Sequence, residues 1–383
     1  MNILYVTDSP TVSGAEHVLL HYLDAWRPPH HRTHVLLRRT NTRLIAQLEK
    51  RGIPFLATDS FSDAIIRTTA RPDELVHFTK AFLGIRREMQ ALAREFPYEL
   101  VHSISYPTSL YVALAVGTSV PHIWHEHNIK RIHAFNRPIY RFVGDRCARV
   151  IGPSNAVIGA LGQAVEASKL LTVYNGIDLS RFTPDGSVRE SARRGLQLGE
   201  HDLGVALAGQ LLPYKGHRAL IAVAARLREA LPRARYFIVG ALENPPYEAE
   251  LRALIREKHL DDRVVFTGWR TDMHAVLQAM DVLVVPTETP EPAALGLMEA
   301  MALGQALVAS RTGGTPELVT DGETGLLFAP GDTAQFASAL LRLGTDRELR
   351  VELGRAARAR ALAAFGLDRH LAEMERLYRT ASS

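Results

Sequence analysis

Val282-Leu283-Val284-Val285, a loop from Pro286 to Ala293, a helical run over 294–303, and then Ala306-Leu307-Val308-Ala309: this stretch decides the fold. Each four-residue apolar run lacks a polar face, so it reads as a strand buried on both sides. A strand, a loop, a helix and a second strand in that order make one unit of a parallel sheet. The same rhythm extends in both directions. Upstream, Gly204 to Ala208, Tyr236 to Val239 and Val264 to Phe266 read as strands, with helices over 216–230, 246–259 and 271–280; downstream, 333–380 is helical. The first half repeats the pattern. Ile3 to Thr7 ends in the turn cluster Asp8-Ser9-Pro10, and a helix begins near Ala15. His34 to Leu37 precedes a helix from Thr42 to Arg51, and Leu100 to Ser103, Ile123-Trp124 and Val150-Ile151 complete the strands.

The chain has 383 residues, more than one hydrophobic core usually serves, so two domains are expected. Residues 1–178 read as a first Rossmann-like domain. The polar run Pro184-Asp185-Gly186-Ser187 places a linker over 179–200, and 201–365 reads as a second Rossmann-like domain. Residues 366–383 are expected to form a C-terminal helix packing back toward the first domain. Ligands of such sheets bind in the crevice at the carboxyl ends of the strands, so the loops there carry the functional reading.

Composition narrows the class. Hydrophobic residues make up 46% and charged residues 22%, as in ordinary soluble domains, and the formal charge is only +4. That excess suits small anions or an anionic membrane surface better than nucleic acid, and neither zinc-finger spacing nor a basic run interleaved with aromatics is present. A single cysteine, Cys147, rules out an internal disulfide and fits a cytoplasmic setting. Met1 to Val6 lacks the features of a signal peptide, and no apolar stretch is long enough to span a membrane.

Glu291 falls in the loop after Val285, and Glu299 falls eight residues later within the helix. Between them a helix N-terminus offers free N–H groups suited to a diphosphate. Taken alone the pair also fits a loop glutamate and a helix-face glutamate. Gly209-Gln210-Leu211-Leu212-Pro213-Tyr214-Lys215-Gly216 follows the first strand of the second half, where a lysine would neutralise a phosphate. Gly313-Gly314, inside Thr312 to Glu317, reads as a turn or as close backbone approach to a ligand. His122, His125, Glu126 and His127 cluster near one strand end. Residues 125 and 127 share a face while 126 points away, so a metal site is not the expected reading. Two amphipathic stretches, Lys130 to Arg149 and residues 73–95, fit solvated or core-packed helices; the first also fits a surface for an anionic or lipid-linked molecule or a membrane face.

Together these segments resemble the retaining glycosyltransferases of family 4 in the GT-B superfamily. The resemblance runs through Ser13-Gly14-Ala15-Glu16, Asn175-Gly176-Ile177-Asp178, Lys215-Gly216, Phe266-Thr267-Gly268-Trp269, the Glu291/Glu299 pair and Gly313 to Glu317. It implies two Rossmann-like domains facing across a cleft, and transfer of a sugar from a nucleoside-diphosphate sugar to an acceptor hydroxyl (EC 2.4, hexosyltransferase-like). Neither cofactor nor metal is implied. Gly14 then borders the donor phosphate and acceptor, and Lys215 contacts the diphosphate, with Gln210 where an arginine is common. Glu291 contacts the transferred sugar, Glu299 the ribose, and Val264, Phe266 and Gly268 lie near the nucleobase. Ala294 and Leu295 open the donor-binding helix, with Ala293-Ala294 replacing a frequent Phe-Gly. His125 lines the cleft near the sugar. The resemblance further implies a sugar or lipid-linked acceptor, a role in envelope polysaccharide, glycolipid or glycoconjugate synthesis, and a cytoplasmic protein peripheral to the inner face of the membrane. A nucleotide-sugar epimerase of similar fold and a catalytically silent sugar-nucleotide-binding protein are the alternatives. A nicotinamide dehydrogenase is disfavoured because Gly-x-Gly-x-x-Gly does not follow an early strand.

Overall fold

The computed structural model describes residues 1–26, 30–61, 72–241 and 244–382. They form two units. One comprises Met1–Asn175 with His370–Ser383, and the other comprises Gly176–Arg369. The first holds a seven-stranded sheet of β1 (Asn2–Thr7), β2 (Arg32–Arg38), β3 (Phe55–Thr58), β4 (Leu100–Ser103), β5 (His122–His125), β6 (Arg149–Gly152) and β7 (Leu170–Thr172), in the order β3-β2-β1-β4-β5-β6-β7. The second holds six: β8 (Leu203–Ala208), β9 (Ala234–Val239), β10 (Val264–Gly268), β11 (Val282–Val285), β12 (Ala306–Ser310) and β13 (Leu326–Phe328), in the order β10-β9-β8-β11-β12-β13. Every strand pairing in both sheets is parallel. Each unit therefore reverses its strand order once, at β1/β4 and at β8/β11, as doubly wound sheets do.

The apolar runs explain the layers. Val205, Tyr236, Val282, Val284, Ala306 and Val308 are buried with Leu220, Ile221, Leu251, Phe336 and Leu340 from the covering helices. In the first unit the two faces of the sheet make separate cores. Leu4, Val6, Val101, Trp124 and Val150 pack on one face; Ile3, Tyr5, Val35, Ile123 and Ile151 pack on the other. The alternation of neighbouring residues between faces follows the two-residue strand period. Met374, Leu377 and Tyr378 of the helix Leu367–Ala381 belong to that second core.

Three strands escape the sequence reading: β3, β7 and β13 are short and lie at sheet edges, where burial is partial and the apolar run is brief. The stretch read as a linker differs more. Within 179–200 the chain forms a helix, Gly186–Gly195, because Asp185 caps it by accepting from the amides of Ser187 and Val188 at 2.8 and 3.3 Å. That helix is bound to its own unit through Asp281, which accepts from Arg189 at 2.6 Å and from the buried Arg193 at 3.2 Å. Within this stretch the polar sequence marks a helix cap.

Candidate donor site

The loop after β11 and the loop after β8 are adjacent because their strands are neighbours at the reversal point of the second sheet. β8 ends at Ala208, and after Gly209 the chain passes through a short 3-10 turn, Pro213–Lys215, into the helix His217–Arg226. Gly216 joins turn to helix at φ +81°, and a β-carbon there would lie 2.0 Å from the carbonyl oxygen of Pro286. Only glycine brings the lysine loop this close to the start of the acidic loop. The Glu288 amide donates to the Tyr214 carbonyl at 2.9 Å and completes the seam.

Glu291 is held from the other side. Gly313, at φ +58°, lies so near that a β-carbon would meet the Glu291 carbonyl oxygen at 2.0 Å and its nitrogen at 2.6 Å. The Gly314 amide donates to that same carbonyl at 2.8 Å. The double glycine is thus the support for the glutamate backbone. The carboxylate itself is buried, with the residue 6% exposed. It forms an ion pair with the Lys215 ammonium, and the Thr287 hydroxyl donates to the same Oε1 at 3.1 Å. Thr287 is a member of the cluster that the sequence did not single out, because a lone loop threonine carries no periodic or spacing signal.

The helix Leu295–Ala302 starts beside this cluster. Its N-cap is Ala294, which has no side chain able to accept from the first-turn amides. Gly209, Lys215, Thr287, Glu291, Ala294 and Gly296 share the lining of one cavity of about 150 Å³ with apolar strand-end residues such as Leu207 and Val285. A cation, a hydroxyl, a carboxylate and open helix amides therefore converge on one space, a combination suited to an oxyanion carrying hydroxylated groups. Glu299 sits further along the same helix. Burial pushes its carboxyl up to about 7, against the lowering influence of Arg181.

Of the predicted donor residues, Lys215, Glu291, Ala294 and Leu295 are brought together. Glu299 is on the same helix but does not line the cavity. Gln210 is exposed just past Gly209 and also lies outside it. Phe266 and Gly268 are on the edge strand β10, where Arg252 stacks over Phe266 at 4.4 Å and the Gly268 carbonyl accepts from the Gly240 amide at 3.1 Å. Val264, at the start of β10, is a core residue.

Gly14 and His125 belong to the first unit. Gly14 opens the helix Gly14–Ala25, whose cap is the Ser13/Glu16 pair. The Glu16 carboxylate accepts from the Ser13 amide at 2.9 Å and hydroxyl at 2.6 Å, and Thr7 donates to it at 3.1 Å. His125 ends β5 and is fully buried. Its Nδ1 lies 3.2 Å from Nε2 of His102, and the ring of His127 packs 3.9 Å away. Glu126, also fully buried, is committed to the Trp124 indole, the Asn128 amide and Lys130. His122 is held by Ser103 at 2.7 Å. Among the described residues, no group of three or more His, Cys, Asp or Glu side chains is arranged to hold a metal.

The fold and the cavity describe a doubly wound protein with a cavity suited to an oxyanion at the strand reversal of its second sheet. Comparison with known proteins carries this to a family. Residues 188–360 match Glycosyl transferases group 1, and residues 12–181 match Glycosyltransferase Family 4. A D-inositol 3-phosphate glycosyltransferase of Stackebrandtia nassauensis is 30% identical over 312 residues, 74% of this chain and 67% of that protein. One of Corynebacterium efficiens is 36% identical over 195 residues, 49% of this chain and 46% of that protein. The chain thus spans about half of one of these relatives and two thirds of the other. The structure of HepE of Anabaena in complex with UDP superposes with a TM-score of 0.84 at 24% identity, covering 99% of this chain and 100% of that one. The chain belongs to the group 1, family 4 glycosyltransferases of the GT-B superfamily and is a nucleotide-sugar-dependent glycosyltransferase.

Proposed function

We propose that the protein moves a sugar from a nucleoside-diphosphate sugar to an acceptor hydroxyl with retention at the anomeric carbon. The observation that carries this reading is the convergence of Lys215, Thr287, Glu291 and the uncapped start of the helix Leu295–Ala302 on one cavity. The diphosphate takes the lysine and the helix amides, which absorb the charge that develops as the anomeric carbon–oxygen bond breaks. Glu291 exchanges its lysine partner for hydroxyls of the transferred sugar, and Glu299 accepts from the ribose. Gln210 stands toward the diphosphate, and Phe266 and Gly268 complete the donor region on the nucleobase side; Val264, packed in the core at the start of β10, does not reach it. The acceptor oxygen attacks the face the leaving group departs from, and its proton passes to the departing phosphate, so no side-chain nucleophile is required. Gly14 and His125 serve the acceptor side in the first unit, which together with a donor-binding second unit makes up the working enzyme.

HepE binds UDP, and the D-inositol 3-phosphate enzymes act on a phosphorylated polyol. Those names support a uridine or related nucleotide as donor and a polar hydroxyl as acceptor. Phe135, 75% exposed, precedes the helix Arg137–Arg146 with its exposed Arg141, which supports contact with an anionic or lipid-linked acceptor at the inner face of a membrane. No helix among the described residues is long and apolar enough to cross a membrane.

Thermal-shift titration with UDP-, GDP- and ADP-sugars tests the reading. One nucleotide sugar is expected to raise the Tm of the wild type, and Lys215→Ala and Glu291→Ala are expected to lose most of that shift. Equal shifts in both variants would remove the assignment. Release of epimerised sugar and free nucleotide without acceptor would identify an epimerase instead.

A further inference from the structure

Four side chains of the first unit form a continuous hydrogen-bonded line ending at His125. The Tyr5 and Tyr378 hydroxyls are 3.3 Å apart, the Tyr378 hydroxyl is 2.5 Å from Nδ1 of His102, and Nε2 of His102 is 3.2 Å from Nδ1 of His125. All four residues are wholly buried. Nε2 of His125 is buried and has no hydrogen-bond partner among the described residues.

The two histidines have only two consistent tautomer pairs, because each neutral imidazole donates from one nitrogen and accepts at the other. In the first, Tyr5 donates to Tyr378, Tyr378 to Nδ1 of His102, and Nε2 of His102 to Nδ1 of His125. One polar group is left over, the Nε2–H of His125. In the second, both histidine bonds are reversed and the Tyr5–Tyr378 bond runs either way. One tyrosine hydroxyl hydrogen then has no acceptor, and the Nε2 lone pair of His125 has no donor. A buried polar group without a partner costs about 1–3 kcal/mol, so the arrangement with one such group is favoured over the arrangement with two. The phenol is also the more acidic partner in the short Tyr378–His102 contact, which favours donation from the hydroxyl to the ring. Burial lowers both imidazoles and keeps them neutral, as the hydrogen-bonded line requires.

We infer that Tyr378, acting through His102, fixes His125 as the neutral tautomer with its proton on Nε2, so that the ring presents a hydrogen-bond donor to an oxygen of the bound sugar. This rests on the reading that His125 meets the sugar. It makes Tyr378, on the helix Leu367–Ala381, a positioning residue for a histidine more than 250 positions earlier in the chain. A general base at position 125 is excluded by the same arrangement, since Nε2 carries the proton. The neighbouring His370 shows a direction fixed in the same manner: its Nδ1 lies 2.7 Å from the Tyr174 carbonyl and must donate, so its Nε2 accepts from the Tyr22 hydroxyl at 2.9 Å.

The test is long-range proton–nitrogen NMR of the full chain labelled in histidine at neutral pH, on the wild type, Tyr378→Phe and Tyr5→Phe. The wild type is expected to show His125 protonated on Nε2 alone. Tyr378→Phe removes the donor to His102 and is expected to move the ring signals of both histidines. Tyr5→Phe leaves the Tyr378–His102 bond in place and is expected to leave them unchanged. Hydrolysis of UDP-, GDP- or ADP-glucose, which needs no acceptor, provides the kinetic readout. Tyr378→Phe is expected to lower kcat about tenfold with the donor KM within about twofold, while Tyr5→Phe matches the wild type. His125 protonated on Nδ1 or on both nitrogens in the wild type, or ring signals indifferent to Tyr378→Phe, would overturn the inference. Signals that move without any change in kcat would overturn the contact between His125 and the sugar. The wild-type spectrum is read without any ligand, so failure of the glycosyltransfer reading itself appears separately, as wild-type protein that binds and turns over none of the nucleotide sugars.

Discussion

At position 313 a single methyl group is the difference between a supported and a displaced Glu291. A β-carbon there would overlap the Glu291 carbonyl oxygen at 2.0 Å, and the backbone is already at φ +58°. Gly313→Ala is therefore expected to cost about 1–3 kcal/mol of stability, read as a lower urea midpoint, and to lower kcat in the same variant. Lys215 and Thr287 share one oxygen of Glu291 but have different weights. Loss of the cation in Lys215→Ala is expected to reduce kcat by about 10²–10³. Thr287→Val removes one neutral hydrogen bond and is expected to cost about fivefold, with Thr287→Ser restoring it. Glu291 and Lys215 were legible in the sequence because charged residues after strand ends stand out against apolar runs. Thr287 was not, since its importance comes from the carboxylate it meets, four residues away in the folded loop.

At the scale of the element, two helices carry testable chemistry. In the helix Leu295–Ala302 the Glu299 carboxyl titrates at about 7 because burial disfavours its charge. If, as proposed, a ribose diol donates to the ionised form, donor binding below pH 7 expels a proton. Donor affinity is expected to fall toward tenfold per pH unit as the pH drops below about 7, measured by calorimetric titration, and Glu299→Gln is expected to flatten that slope. The sign for stability is the opposite. The folded pKa lies above the unfolded 4.5, so this group favours folding at low pH and loses that contribution as the pH rises from about 4.5 to 7. The helix Gly186–Gly195 is anchored by Asp281, which pairs with Arg189 and the buried Arg193. Asp281→Asn leaves the Arg193 guanidinium buried beside a neutral group and is expected to cost about 3 kcal/mol in denaturant unfolding. Sequence periodicity located the long helices but read this one as a linker, because its anchoring partner lies 88 residues further on.

Over the whole molecule the buried histidines set the acid limit. Burial lowers His122 and His127 to about 3 and His217 and His370 to about 4. The unfolded chain binds protons at these rings below about 6.5 while the folded chain does not. Their contribution is therefore complete above that pH and is lost as the pH falls from 6.5 toward 3–4. The Tm is expected to drop steeply across that window, checked by calorimetry from pH 7.5 to 4, with His217→Gln shifting the drop to lower pH. Both units contribute to this behaviour, since His217 belongs to the second and the other three to the first.

Residue type and periodicity carried the class of fold and pointed to the charged residues of the loops after the strand ends. Apolar runs of four to six residues between turn residues fit buried strands, their alternation with helices fits parallel pairing, and a lysine and a glutamate after strand ends, with a second glutamate in the next helix, point to what such loops can bind. Tertiary structure decided everything that depends on contacts between distant segments: the strand order that sets β8 beside β11, the glycines that press two loops onto the backbone around Glu291, and the line from Tyr378 to His125. Local sequence encodes period and residue type, which act over a few residues. Which side chains meet is fixed by packing between elements hundreds of residues apart, and no local pattern records it.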